Sequence, residues 1–220
     1  MRRLAPSLVA MTLLAAACGG SSGLSTPELD AFRDQPTACG ADRPGRPTEM
    51  SFDTPGDAGV TGPVRAILHT SCGDITLQLD PALAPQAVNS FVFLAEQDYF
   101  DNTVSHRVVP GFVIQAGDPT ATGRGGPGYR LQDELPDAGF EYAAGTVAMA
   151  NAGPDSAGSQ FFITLADVGL DPDFTVFGTV VEGFDVMQLI ASLPMGSNPG
   201  DFQPSHPLQT VYLDDVEIVR

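Results

Sequence analysis

Between positions 74 and 80 apolar and polar residues alternate, with Ile75, Leu77 and Leu79 separated by Thr76 and Gln78. A period of two sends every second side chain to the same face, so Asp74 to Asp80 predicts a half-buried strand. Val64 to Thr70 predicts its partner, joined through Ser71-Cys72-Gly73, a tight hairpin with glycine where positive φ is needed. The period then changes. From Pro85 to Glu96, Val88, Phe91 and Ala95 form one stripe and Pro85 sits in the first turn, which predicts a helix. Further strands fit Thr103 to Val109, Phe112 to Ala116, Thr146 to Ala150, Phe161 to Leu165 and Thr175 to Val181. A second helix fits Phe184 to Ser192, and Gln209 to Val219 closes with a strand. Many short strands with two helices predict a mainly β fold, a closed barrel or sandwich with the helices as plugs.

Upstream of Val64 this patterning stops. Residues 19 to about 63 are rich in Gly, Ser, Pro, Thr and Asp, as in GGSSGLSTPE and RPGRPTEMSFDTPGDAGVTGP, and read as a tether. A short helix fits Pro27 to Arg33, with Thr26 as N-cap. Met1-Arg2-Arg3 followed by the apolar run Leu4 to Ala17, too short to span a bilayer comfortably, has the layout of an export signal. LLAAAC resembles a bacterial lipobox, in which the cysteine is lipidated, although Ala15 stands where Leu is commoner. The expected organisation is a signal peptide over 1–17, a lipidated Cys18 with its tether over 18–62, and a folded domain over 63–220. The expected location is extracytoplasmic, anchored to the membrane through Cys18; a plain secretory signal and a secreted protein are the alternative.

Composition narrows the function. With 220 residues, 43% of them hydrophobic, the chain can build a sizeable core. Its 27 acids against 10 bases give a formal charge of -17, which repels phosphate backbones and argues against nucleic-acid binding. All the bases are arginine; the chain has no lysine. With Cys18 set aside, Cys39 and Cys72 form an even pair in an oxidising context, and a disulfide is the natural reading, two free thiols the alternative. No CxxC or Cys/His spacing suggests a metal site.

Some candidate motifs carry nothing. Gly123-Arg-Gly-Gly-Pro-Gly128 satisfies G-x-G-x-x-G, yet Pro127 and Gly128 lead into YRLQDELPDAG rather than a helix, so it reads as a surface loop. His69, His106 and His206 lack a G-x-S-x-G elbow and read as structural.

Two longer segments change the picture: SHRVVPGFVIQAGDP at 105–119 and MANAGPDSAGSQFFI at 149–163. Both resemble the signatures of the cyclophilin family of peptidyl-prolyl cis-trans isomerases, in the usual order and separation, and VFGTVVEG at 176–183 is a third match. The resemblance covers roughly Val64 to Val219. It implies a closed eight-stranded antiparallel barrel capped by two α-helices, with the site on the outer face. It further implies catalysis of cis/trans rotation before proline without metal, nucleotide or other cofactor. By motif position Arg107 is the catalytic cation and Gln115 lies beside it. Phe112, Val113, Phe162, Leu170 and Phe174 fall at the proline pocket, Ala150 and Asn151 at the peptide-binding rim, and Gln160 supplies a further polar contact. The implied partners are proline-containing segments of exported or envelope proteins, with the chain a monomer.

The residue types suit that chemistry. Rotation about an amide faces about 18–20 kcal/mol because the nitrogen lone pair is delocalised into the carbonyl. A donor aimed at the prolyl nitrogen gains strength only as the bond twists, so it favours the transition state. Arginine stays charged and presents a planar fork, part of which Gln115 can hold. Alternation puts Arg107 and Val109 on one face of their strand and Val113 and Gln115 on one face of theirs. The chain also departs from the family. Its frequent Trp before the pocket Leu is Gly169 here, its frequent His is Phe174, and Val113 replaces the common Met. These changes put cyclosporin affinity in doubt more than isomerase activity. A proline-peptide-binding chaperone or adhesin without turnover is the competing function.

Overall fold

The computed structural model describes residues 23–220, so the expected signal peptide and Cys18 lie outside the described residues. The alternating segments pair as a hairpin, β1 (Val64–Thr70) with β2 (Gly73–Leu79), in register from Val64 opposite Leu79 to Thr70 opposite Gly73. Gly73 has φ 122°, a conformation closed to most side chains. Ile75, Leu77 and Leu79 all point into the core.

Three α-helices follow in the described residues: α1 (Pro27–Arg33), α2 (Pro85–Glu96) and α3 (Phe184–Ala191). On α2 the stripe Val88, Phe91 and Ala95 is buried, and Phe91 meets Phe100, Phe161 and Phe177 at ring separations of 5.0, 5.4 and 5.4 Å. No neighbouring side chain caps its start. The Glu134 carboxylate accepts from the Gln86 and Ala87 amides instead, at 3.0 and 2.9 Å, which puts an anion at the positive end of the helix.

The remaining strands are β3 (Thr103–Val104), β4 (Arg107–Val109), β5 (Val113–Ala116), β6 (Thr146–Met149), β7 (Phe161–Thr164), β8 (Val176–Glu182), β9 (Met195–Gly196), β10 (His206–Pro207) and β11 (Tyr212–Val219). Their pairing corrects the expected closed eight-stranded barrel. Nine strands form one strongly curled, open sheet in the order β3-β11-β1-β2-β8-β6-β7-β5-β4, and β9 pairs separately with β10. The cause lies at Ser105-His106. There the stretch predicted as a single strand breaks: the Ser105 amide donates to the Val211 carbonyl and the Val108 amide to the Ser205 carbonyl, so the two halves take different neighbours. The end strands β3 and β4 are thus joined by the chain and not by a ladder.

Besides the two helices expected to cap the sheet, α1 forms over Pro27–Arg33, where the short helix was expected, but it is packed against the domain and not part of a free tether. Thr26 caps it, its Oγ1 accepting from the Leu29 amide at 3.1 Å. Leu29 and Phe32 are buried with Val104, Ala121 and Tyr212. The backbone then exchanges hydrogen bonds with Thr210, whose amide donates to the Pro36 carbonyl while its carbonyl accepts from Ala38, both at 2.9 Å. A disulfide joins Cys39 to Cys72. Residues 23–62 therefore lie along the domain as a strap; its buried apolar residues, Leu29, Phe32, Ala38 and Ala58, are too widely spaced among the Gly and Pro residues to show as a period.

Candidate active site

The site grows from the register of four strands. Arg107 on β4 faces Gln115 on β5, Gln115 faces Phe162 on β7, and Phe162 faces Ala148 on β6. Residues in register share a face, so these four form one row across the sheet. The alternate positions Val108, Ile114, Ile163 and Val147 belong to the main core on the other face. Pro110-Gly111 turns the chain between β4 and β5, with Gly111 at φ 72°.

The row borders a second apolar cluster. Val109, Val113, Tyr142, Ala148, Phe162 and Val176 are buried in it, and half-buried Phe112, Ala150, Leu170 and Phe174 pack around them. Phe162 meets Phe174 edge to face at 5.3 Å. At Gly169 a side chain would find open space, so the wall that a Trp would form there is missing.

Polar groups run beside this notch as a chain of hydrogen bonds. Arg107 Nη1 donates to Gln115 Oε1 at 3.3 Å, and Gln115 Nε2 donates to Gln160 Oε1 at 3.0 Å. Gln160 Nε2 donates to the Gly125 carbonyl at 3.0 Å. Behind it, fully buried Asp118 accepts from Thr120 Oγ1 at 2.6 Å and from the Gly125 amide at 3.0 Å, which fixes the 118–125 loop. Asn151 Nδ2 donates to the Asp173 carbonyl at 2.8 Å, holding its loop against the segment that carries Phe174. Ala150, Asn151, Gln115 and Gln160 line a cleft of about 610 Å³ together with residues 123–130. Arg107 also lies over Phe112, its Cζ 6.0 Å from the ring centroid.

All the residues nominated by the motifs, Arg107, Phe112, Val113, Gln115, Ala150, Asn151, Gln160, Phe162, Leu170 and Phe174, lie in or beside this row, cluster and cleft. The histidines are scattered: His69 bonds Asp74 and Glu217, and His206 meets Gln35. His106, next to the catalytic candidate, is buried with neither ring nitrogen bonded, and burial holds its pKa below the ordinary value. Among the described residues no group of three or more His, Cys, Asp or Glu could hold a metal ion.

One neighbour escaped the sequence. Asp201, in the loop between β9 and β10, takes Arg107 Nε on both carboxylate oxygens at 3.0 Å and Nη2 on one at 2.6 Å. Phe202 beside it is 76% exposed and stands 6.0 Å from Phe112, ring to ring. Nothing in SNPGDFQPS marks this loop from sequence.

A curled antiparallel sheet whose outer face sets one guanidinium beside an apolar notch defines a protein able to hold a nonpolar ring against a strong hydrogen-bond donor. Comparison with known proteins agrees. A family model described as cyclophilin type peptidyl-prolyl cis-trans isomerase/CLD matches residues 65–217. Peptidyl-prolyl cis-trans isomerase ppi1 of Schizosaccharomyces pombe is 41% identical over 150 residues, 66% of this chain and 97% of its own. Peptidyl-prolyl cis-trans isomerase-like 1 of Bos taurus is 41% identical over 163 residues, 72% of this chain and 91% of its own. The crystal structure of a cyclophilin type isomerase from Cryptosporidium parvum superposes with a TM-score of 0.65 at 29% identity, covering 72% of this chain and 98% of that one. The same protein has been solved in the presence of the dipeptide Ala-Pro. The chain belongs to the cyclophilin-type peptidyl-prolyl cis-trans isomerase family.

Proposed function

We propose that this isomerase acts outside the cytoplasm, anchored through a lipidated Cys18, as a monomer that speeds rotation about Xaa-Pro bonds in exported or envelope proteins. Slow proline isomerisation limits the folding of such clients. The export-type segment and the LLAAAC motif support the location, as does the Cys39 to Cys72 disulfide, a bond typical of oxidising compartments.

In this reading the client proline ring enters the notch between Phe112, Val113, Phe162 and Leu170, and the preceding residues lie along Ala150 and Asn151. Arg107 donates to the prolyl nitrogen as its lone pair leaves conjugation, while Gln115 keeps the guanidinium in plane. Differential stabilisation of about 2–4 kcal/mol corresponds to roughly thirty- to a thousandfold in rate. The observation that carries the proposal is the register row that sets Arg107 and Gln115 beside Phe162, with Phe112 under the same guanidinium.

The test is cis/trans exchange of a short Xaa-Pro peptide, followed by NMR, with wild type and Arg107→Ala. A fast wild type and a slow variant are expected. Equal background rates in both would sink the proposal, and tight peptide binding with no exchange enhancement would make the chain a binding module instead. Mass spectrometry of the mature N-terminus should show a lipid on Cys18; an unmodified or absent Cys18 would overturn the anchor.

A further inference from the structure

Arg107 has more structure behind it than its brace to Gln115. Asp201 grips Nε and Nη2 on one edge of the guanidinium, so the plane is held from two sides, by Asp201 and by Gln115 Oε1. Two polar side chains therefore fix one charged plane, and the remaining hydrogens on Nη1 and Nη2 stay free of these bonds. Arg107's side chain keeps 24% of its surface exposed, so a substrate can still reach it, whereas Asp201's side chain is down to 11%.

Asp201 is itself built in. Asn198 Nδ2 donates to its Oδ2 at 3.1 Å, and the Ser205 hydroxyl donates to the same oxygen. Ser205 is buried, and its carbonyl accepts from the Val108 amide, one residue beyond Arg107. Gln203 Nε2 donates to the Pro110 carbonyl at 2.8 Å, at the turn that leads to Phe112. The loop thus touches β4, its turn and the guanidinium together. An ion pair that merely decorated a surface would not have its carboxylate tied down by two further donors.

We propose that Asp201 is a positioning residue for the isomerase reaction: it locks the Arg107 guanidinium by a two-pronged carboxylate contact so that its unbonded edge faces the twisting imide. The inference rests on the isomerase reading above. A freely rotating arginine would need to be ordered in each encounter, and ordering it beforehand lowers the barrier rather than the dissociation constant. Neighbouring donors, Arg107 first, hold the Asp201 carboxyl below its ordinary range, so the grip persists at neutral and mildly acidic pH.

The experiment compares wild type, Arg107→Ala, Asp201→Ala, Asp201→Asn and Asp201→Glu in peptide exchange, with the peptide's dissociation constant measured separately. The 15N-detected Arg107 Nε–H resonance supplies a readout independent of turnover. Positioning predicts a kcat lower by about tenfold in Asp201→Ala with the dissociation constant changed less than twofold, partial recovery in Asp201→Glu, and faster solvent exchange of the Nε–H in Asp201→Asn. Asp201→Asn is nearly isosteric and guards against a folding defect in Asp201→Ala. A fast wild type with Asp201 variants at the same rate, or faster, overturns the positioning role alone; a faster variant would make the carboxylate a restraint on the cation. A wild type no faster than Arg107→Ala overturns the isomerase reading and this proposal with it.

Discussion

Gln115 stands opposite Arg107 across one side of β5 and opposite Phe162 across the other, so a single amide side chain joins the cation to the apolar notch. It also passes the contact on to Gln160. Removing it leaves the guanidinium held from the Asp201 side only. Gln115→Ala should lower kcat/KM by about tenfold, the size of one hydrogen bond to a charged group, with little change in melting temperature. Peptide exchange and a thermal melt on the same sample check both halves.

The two aromatic residues of the notch should separate binding from stability. Phe112 is only half-buried, whereas Phe162 is 5% exposed in a closed cluster. Phe162→Ala should cost about 3–5 kcal/mol in urea unfolding. Phe112→Ala should unfold close to wild type and raise KM instead. A wild-type KM in Phe112→Ala would remove that residue from the pocket.

The Cys39 to Cys72 bridge spans 33 residues of sequence and ties the strap to the β1–β2 hairpin. In the chain-entropy account a loop of that length is worth about 3–4 kcal/mol. Cys39→Ser with Cys72→Ser should lower the urea midpoint accordingly. An unchanged midpoint would mean that the bond adds nothing beyond the strap's own packing.

Burial, with the nearby carboxylates of Asp215 and Asp98, lifts the Asp101 carboxyl from 3.8 to about 6. The folded state thus keeps a proton that the unfolded chain gives up sooner. Its stabilising effect is fully present below the unfolded value and is lost as pH rises through about 6. Asp101→Asn should therefore melt higher than wild type at pH 8 and together with it near pH 3. Because the group is partly solvated, the gain should be about 1 kcal/mol or less.

Local order was readable where one period dominates. Ile75, Leu77 and Leu79 disclosed β2, and Val88, Phe91 and Ala95 disclosed α2 to the residue. The signatures around Arg107 and Phe162 picked out residues that the structure sets in register on β4, β5 and β7. Three features were not legible, each for a physical reason. Thr103 to Val109 reads as one strand, and only the hydrogen bonds of Ser105 and Val108 to different partners break it. The strap hangs on Leu29 and Phe32, whose partners Val104, Ala121 and Tyr212 are distant in sequence. Asp201 meets Arg107 across 94 residues, and no local pattern encodes a contact made by a Pro/Gly-rich loop.

The Ser205 carbonyl that receives the Val108 amide has a consequence for coexistence with clients. β4 is the last strand of the sheet, and bare amides on a terminal strand invite foreign chains to dock by backbone pairing. In the proposed folding role the chain would meet unpaired polypeptide constantly, and this seam is stitched on the strand that carries Arg107. Loosening the 197–205 segment would therefore turn a transient visitor into a permanent guest, trading turnover for clumping.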